Sequence, residues 1–294
     1  MTTELELADG RRLTVRDHGG AGDALVIVHQ TTPGGTLLHE DTVRQAGEHG
    51  LRLVSYARPG YADSTRAPGR TVGDAAADTA AVADFLAAPK FLTWGTSGGG
   101  PHALACAARL PDRVVAAATL ASVGPYGVAG FDFFDGMGEG NIEEFGTVLS
   151  GGRPAIEAAL EPQVSTLLAA KLEDLVDSMA PHLSEVDAVE MRGPFGGLFL
   201  AQIKEGCAHG AGGWVDDDLA FVAPWGFDVA DIRVPVLLLQ GRQDEMVPFA
   251  HGQWLAGQIP GVDARLSEED GHLTLTTRRL SEVFGWLRER WDAR

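Results

Sequence analysis

The sequence predicts an α/β protein: a mostly parallel sheet with helices on both faces. Three observations carry that reading. The run at 24–29, ALVIVH, is apolar up to its last residue, as expected for a strand buried on both sides. Further strand-like stretches at 51–56, 91–94, 114–121 and 234–240 alternate with segments of helical character. That alternation builds parallel strands joined by crossover helices. The length, 294 residues, allows one large domain with an insertion, or two small ones.

In chain order, 4–7 and 12–15 alternate in polarity around Ala8-Asp9-Gly10 and read as an antiparallel hairpin. The strand at 24–29 runs into a loop, Gln30-Thr31-Thr32-Pro33-Gly34-Gly35. The strand at 51–56 is followed by Ala57-Arg58-Pro59-Gly60-Tyr61. Residues 71–87 read as a helix, with Thr71 and Asp74 at capping-box spacing and Val72, Ala75, Thr79, Val82 and Leu86 on one face. After Ser122 the character changes. From 124 to about 231 there is no clear apolar strand, only helix-like pieces such as 155–160 and 164–179, broken by Gly and Pro. Aromatic residues are scattered through this stretch, from Phe131, Phe133 and Phe134 to Phe195, Phe199, Trp214, Phe221 and Trp225; they either pack a lid or line an apolar pocket. A last short strand is expected at 262–266, and a closing helix at 280–291 with Phe284, Leu287 and Trp291 on one face. Ligands of such sheets bind at the carboxyl ends of the strands. The middle segment is therefore expected to lie over that end.

Composition narrows the function classes. A net charge of −18, from 41 acids against 23 bases, repels phosphate backbones and anionic membranes, so nucleic-acid and membrane partners are not expected. Two cysteines, Cys106 and Cys207, have no paired spacing and give no disulfide framework. Cys106 reads as a small core residue. The start, MTTELELADG, lacks a basic region and an apolar run, which points away from a signal peptide and toward the cytoplasm. No apolar run reaches membrane-spanning length, and no metal-ligand spacing is present.

The stretch with chemical content is Gly95-Thr96-Ser97-Gly98-Gly99, a G-x-S-x-G motif set between a strand and a helix at 103–109. A reversal that sharp forces the serine into a positive-φ conformation and lifts its hydroxyl above the sheet. Strand and helix pass close together, so the flanking positions must lack bulk, which Gly95 and Gly99 satisfy. The Gly98 N–H, at the helix start, would face an oxyanion formed beside Ser97. The plainer alternative is a helix-capping serine in a Gly-rich loop. Gly98, Gly100 and Ala103 also fit a G-x-G-x-x-A dinucleotide fingerprint, but the next strand ends in Ala121-Ser122-Val123-Gly124, without the acid that would hold a ribose.

A serine hydroxyl needs a base, and the base needs an orienting acid. Behind such a turn the order along the chain is Ser, acid, His. Asp244 in Gly241-Arg242-Gln243-Asp244 and His272 in Asp270-Gly271-His272 both follow strands and fall at the required end of the sheet. Glu245 is adjacent but would point elsewhere, Asp228 and Asp231 precede the strand, and Asp270 is better suited to shaping the His272 turn. His251 is expected on the outer, solvated side of a helix after Pro248, and His102 lies on the helix after the turn and precedes the acid.

On the turn, on Arg58-Pro59-Gly60-Tyr61, on Gly241-Arg242-Gln243-Asp244 and on Gly271-His272, the chain resembles the α/β-hydrolase superfamily along nearly its whole length. It is most similar to the bacterial esterase, lipase and proline-iminopeptidase-like branch with a helical cap. The resemblance implies an eight-stranded, mostly parallel sheet formed by 1–124 and 231–294, with 125–230 as an inserted helical cap. It implies a Ser97-His272-Asp244 triad acting on a carboxylic ester, less readily an amide, without a cofactor; the aromatic residues of the middle segment suggest a small to medium, apolar substrate. Relatives carry His-Gly-x-Pro after the first buried strand, with the N–H of x as second oxyanion donor. Anchored on Pro33, Thr32 takes that position, while His and Gly become Gln30 and Thr31. The Gln30 side chain could itself supply a donor. The altered stretch leaves a second reading open: a non-hydrolytic enzyme acting on a biosynthetic intermediate, or a small-molecule binder. Oligomeric state is not legible.

Overall fold

Alternation along each central strand sends successive side chains to two separate cores. In the computed structural model, which describes residues 1–20, 22–180 and 183–294, the strands are β1 (Thr2–Glu6), β2 (Arg12–Asp17), β3 (Ala24–His29), β4 (Leu51–Tyr56), β5 (Phe91–Thr96), β6 (Val114–Leu120), β7 (Val236–Gly241) and β8 (Asp263–Ser267). They form one sheet in the order β1-β2-β4-β3-β5-β6-β7-β8, antiparallel at β1–β2 and β2–β4 and parallel from β4 onward. Leu25 and Ile27 of β3 and Leu238 of β7 join one apolar core; Val26, Val28, Leu237 and Leu239 join the other. Both faces of these strands are thus buried, which is why the runs carry almost no polar residues.

Helices cover the two faces. α1 (Glu40–Glu48) and the closing helix α11 (Leu280–Asp292) pack on one side, where Phe284, Leu287 and Trp291 are buried as their spacing predicts. α2 (Ala75–Phe85), α3 (Gly100–Arg109) and α9 (Phe249–Gln258) pack on the other, and Cys106 of α3 lies within that core. The segment read as helix at 71–87 begins with a short 3₁₀ turn at Val72–Asp74 before α2. α1 gave no clear sequence signal: only Thr42 and Ala46 of its nine residues are buried.

Among the described residues, five α-helices run between β6 and β7: α4 (Glu139–Ala169), α5 (Leu172–Met179), α6 (Glu185–Arg192), α7 (Pro194–Gly206) and α8 (Gly212–Val222). The expected pieces divide differently. Residues 155–160 belong to α4, which bends at Gly152 (φ 59°) and restarts at Pro154, a residue suited to a first helical turn. The stretch read as one helix at 164–179 breaks at Ala170 and Lys171, where both residues are extended and Asp174 accepts the Lys171 N–H to start α5. α10 (His272–Arg278) follows β8. Among the described residues no helix is long and apolar enough to cross a membrane, and no group of three His, Cys, Asp or Glu could hold a metal ion.

His251 departs from expectation. It is fully buried in α9, its Nδ1 accepting from Gly124 N–H and its Nε2 donating to the Phe133 carbonyl, both at 2.9 Å. The outer side of α9 is not solvated there. The 124–134 segment folds over it and sets Phe131 and Phe133 edge-to-face against the imidazole. Burial lowers the His251 pKa to about 4, so it is a neutral structural histidine.

Candidate active site

The turn between β5 and α3 is as sharp as its glycines suggest. A Cβ at Gly95 would stand 2.2 Å from the Gly99 carbonyl oxygen, and one at Gly99 would stand 2.1 Å from that of His29. Only glycine fits at either place. Ser97 has φ 56°, a conformation that L-residues avoid, and its side chain reaches the walls of two cavities.

His272 is the first residue of α10, and Asp244 lies in the loop after β7. Their side chains meet: His272 Nδ1 is 2.8 Å from Asp244 Oδ2. The carboxylate is itself fixed, Oδ1 accepting the N–H groups of Met246 and Val247 at 2.9 and 2.8 Å and Oδ2 the Gln240 amide at 3.2 Å. With the proton on Nδ1, Nε2 is left as a base. Burial lowers the His272 pKa, but the Asp244 carboxylate, through charge and hydrogen bond, outweighs it, and Asp187 adds to the same side. The imidazole therefore titrates above its ordinary value. Ser97 and His272 line one cavity of about 240 Å³.

The competing residues lie elsewhere in role. The Asp270 carboxylate pairs with Arg279 at 2.8 Å, and its backbone carbonyl accepts from Gln243 N–H. Asp228 caps the short turn before β7. His102 is buried beside the turn with Nδ1 on the Gly98 carbonyl at 2.8 Å, and burial holds it neutral.

The loop after β3 answers the question posed by Gln30 and Thr31. Arg58 donates to both their carbonyl oxygens, at 2.5 and 3.0 Å, and to the Thr32 hydroxyl at 2.9 Å. The Gln30 side-chain amide donates one N–H to the Leu37 carbonyl at 2.7 Å, and its oxygen accepts from Gln202 Nε2 at 3.3 Å, which ties that side chain to the loop and to α7. The Thr32 N–H donates to no protein group among the described residues. A Cβ on Gly98 would lie 2.3 Å from Thr32 Oγ1, which puts the two expected donor residues side by side.

Three residues that position this site have roles that the sequence does not reveal. Asp187, in α6, accepts the N–H groups of His272, Leu273 and Thr274 at 2.6, 2.8 and 3.1 Å, capping α10 where Gly271 offers no side chain. Ser184, just before α6, donates its hydroxyl to the same carboxylate at 3.2 Å. Asp217 of α8 is fully buried among Arg58, Arg70, Tyr61 and the Thr32 hydroxyl. Burial opposes its charge, yet the two guanidiniums hold it far below the usual carboxylate range. Arg58 stands in a loop that carries the family resemblance, but its place as the clamp on Gln30 and Thr31 is visible only in the structure.

The aromatic residues divide between the two roles left open. Phe195 and Phe199 line the cavity shared by Ser97 and His272. Phe145, Trp214 and Phe221 line a second cavity of about 470 Å³, which also reaches Ser97. Phe131, Phe133 and Phe134 pack against one another, Tyr126 and α9 instead.

Known proteins supply the same frame. A solved enol-lactonase from Burkholderia xenovorans LB400 superposes with a TM-score of 0.68 at 19% identity, over 99% of this chain and 100% of its own. A bromoperoxidase from Bacillus anthracis gives 0.71 at 19%, covering 98% and 100%. An esterase from Rhodococcus sp. ECU1013 gives 0.70 at 18%, covering 97% and 98%. At such identities the likeness is one of fold. No curated protein sequence matches the chain. The family profile described as alpha/beta hydrolase fold matches residues 23–278, and the chain belongs to that family.

Proposed function

We propose that the protein is a serine hydrolase of carboxylic esters. The observation that carries the reading is the His272–Asp244 hydrogen bond of 2.8 Å, with His272 on the wall of the cavity that Ser97 enters. In this reading the inserted helices are a cap over the carboxyl ends of the strands. His272 Nε2 takes the Ser97 proton as Oγ attacks the ester carbonyl, and Asp244 holds the imidazole and stabilises its cationic form. The N–H groups of Gly98 and Thr32 receive the negative charge on the carbonyl oxygen. The imidazolium then returns its proton to the leaving alkoxide. Water, deprotonated by the same nitrogen, releases the acid and restores the serine. No step calls for a metal or an organic cofactor.

The non-hydrolytic alternative drew on the altered loop. The Arg58 clamp weighs against it: the Gln30 and Thr31 carbonyls are turned to the guanidinium, and the Thr32 N–H is left unpaired. Labelling with a fluorophosphonate and turnover of p-nitrophenyl esters of rising chain length test the proposal together. A stable adduct on Ser97 with ester turnover is expected. Folded protein that gives neither would favour the non-hydrolytic reading.

A further inference from the structure

Three consecutive aspartates of α8 are buried, and they are not treated alike. Asp216 is answered by Arg66 at 2.8 Å and Arg153 at 2.7 Å, and Asp217 by Arg58 at 2.6 Å and Arg70 at 2.7 Å. Asp218, only 1% exposed, meets another carboxyl, that of Glu144 on α4. One Asp218 oxygen has no hydrogen-bond partner among the described residues. Glu144 accepts from Trp214 Nε1 at 2.9 Å and keeps part of its surface open to the larger cavity.

The rest of that cavity sharpens the contrast. Its wall includes Ser97, Gly98 and Thr32, and four acidic residues, Glu143, Glu144, Asp218 and Glu245; no Lys, Arg or His is among the described residues that line it. Burial pushes the Asp218 and Glu144 carboxyls upward, and two such groups in contact can hold a proton between them. With one proton shared, the pair keeps a negative charge that no arginine meets directly, because Arg70, which acts to lower the Asp218 pKa, is paired with Asp217; such a charge is costly unless a cationic donor completes it. The aromatic faces of Trp214, Phe145 and Phe221 beside it also favour a cation. The protein neutralises the two neighbouring aspartates with its own arginines and leaves this pair facing the space where substrate must lie.

We propose that Asp218 and Glu144 receive an ammonium group of the substrate, so that the esters turned over at Ser97 carry an amine on the arm that enters the larger cavity. The reaction itself rests on the hydrolase reading above; the cation site does not. Two isosteric pairs test it: p-nitrophenyl ε-aminocaproate against p-nitrophenyl heptanoate, and aminopentyl acetate against hexyl acetate. In at least one pair kcat/KM favours the ammonium ester by about tenfold or more. The Asp218→Asn, Glu144→Gln double variant, whose replacements keep the shapes and remove buried charge, brings that ratio to near one. Calorimetric binding of hexylammonium chloride, with hexanol as control, reads the same site in Ser97→Ala protein without turnover. Binding that is lost in the double variant upholds the cation site even if no ester is hydrolysed, an outcome that would count against the hydrolase reading alone. No preference in either pair and no hexylammonium binding would overturn the proposal, as would a preference that survives the double variant.

Discussion

Replacing Asp187 separates a local cap of α6 from a long-range cap of the candidate base. Its carboxylate accepts three N–H groups at the start of α10, two on Oδ1 and one on Oδ2. In Asp187→Asn, Oδ1 can keep Leu273 and Thr274, but an NH₂ then faces the His272 N–H, which sits 2.6 Å from the present oxygen. One charge-assisted bond is lost and two donors oppose each other, a loss of about 2 kcal/mol. Asp187→Ala strips all three donors in a buried place and costs about 4 kcal/mol, combining a lost cap with orphaned N–H groups. Urea unfolding measures both. Activity carries a second readout. Asp187 helps hold the His272 pKa up, behind burial, which lowers it, and Asp244, which raises it. His272 must be neutral to accept the serine proton, so the rate climbs as pH rises through its pKa. Removing the Asp187 charge lowers that pKa and moves the acid limb of kcat/KM to lower pH, while turnover on the plateau falls as α10 loosens. An Asp187→Asn protein with unchanged stability and an unchanged acid limb would refute the reasoning.

Ser97→Ala lowers ester turnover by about 10⁴-fold or more and abolishes fluorophosphonate labelling, both read on folded protein. Gly98→Ala drives a methyl into Thr32 Oγ1 and against the Phe221 ring, at 2.3 and 3.0 Å from an ideal Cβ. It is expected to reduce kcat by about 10²-fold with a smaller effect on thermal stability, because it spreads the two oxyanion donors. Asp217→Ala leaves Arg58 and Arg70 buried without their carboxylate, which costs about 3 kcal/mol or more in urea unfolding.

The fold was legible because its strands are short, apolar and buried on both faces, and because Gly95 and Gly99 can be nothing else where a strand turns into a helix. Ser97, Asp244 and His272 could be named as candidates because each stands just past a strand, where the sheet places it regardless of side-chain detail. What stayed hidden lies between distant segments. Asp187 and His272 are 85 residues apart and Arg58 and Asp217 are 159 apart, so neither pair shares a period or a motif. His251 was misplaced for the same reason: amphipathicity cannot say that a loop more than a hundred residues upstream will cover the outer face of α9. The helix boundaries within 125–230 slipped because Gly152 and Lys171, rather than the prolines, set where the chain bends.

Both loops that carry the proposed chemistry are held from the inserted helices by a buried carboxylate. Asp187 of α6 grips the backbone that presents His272, and Asp217 of α8 grips Arg58, which in turn fixes the loop leading to Thr32. Lifting either helix from the sheet would strand three backbone donors or two buried arginines, each a loss of several kcal/mol. Lifting of the proposed cap as a whole during each turnover is therefore expensive, whereas passage through the two cavities that already reach Ser97 breaks none of these bonds. Amide hydrogen exchange decides between them. If substrate enters through the cavities, the N–H groups of His272, Leu273 and Thr274 exchange as slowly as those of the central strands. Fast exchange at these three amides, with the strands still protected, would mean that the α6 contact opens on its own and that the proposed cap works by lifting.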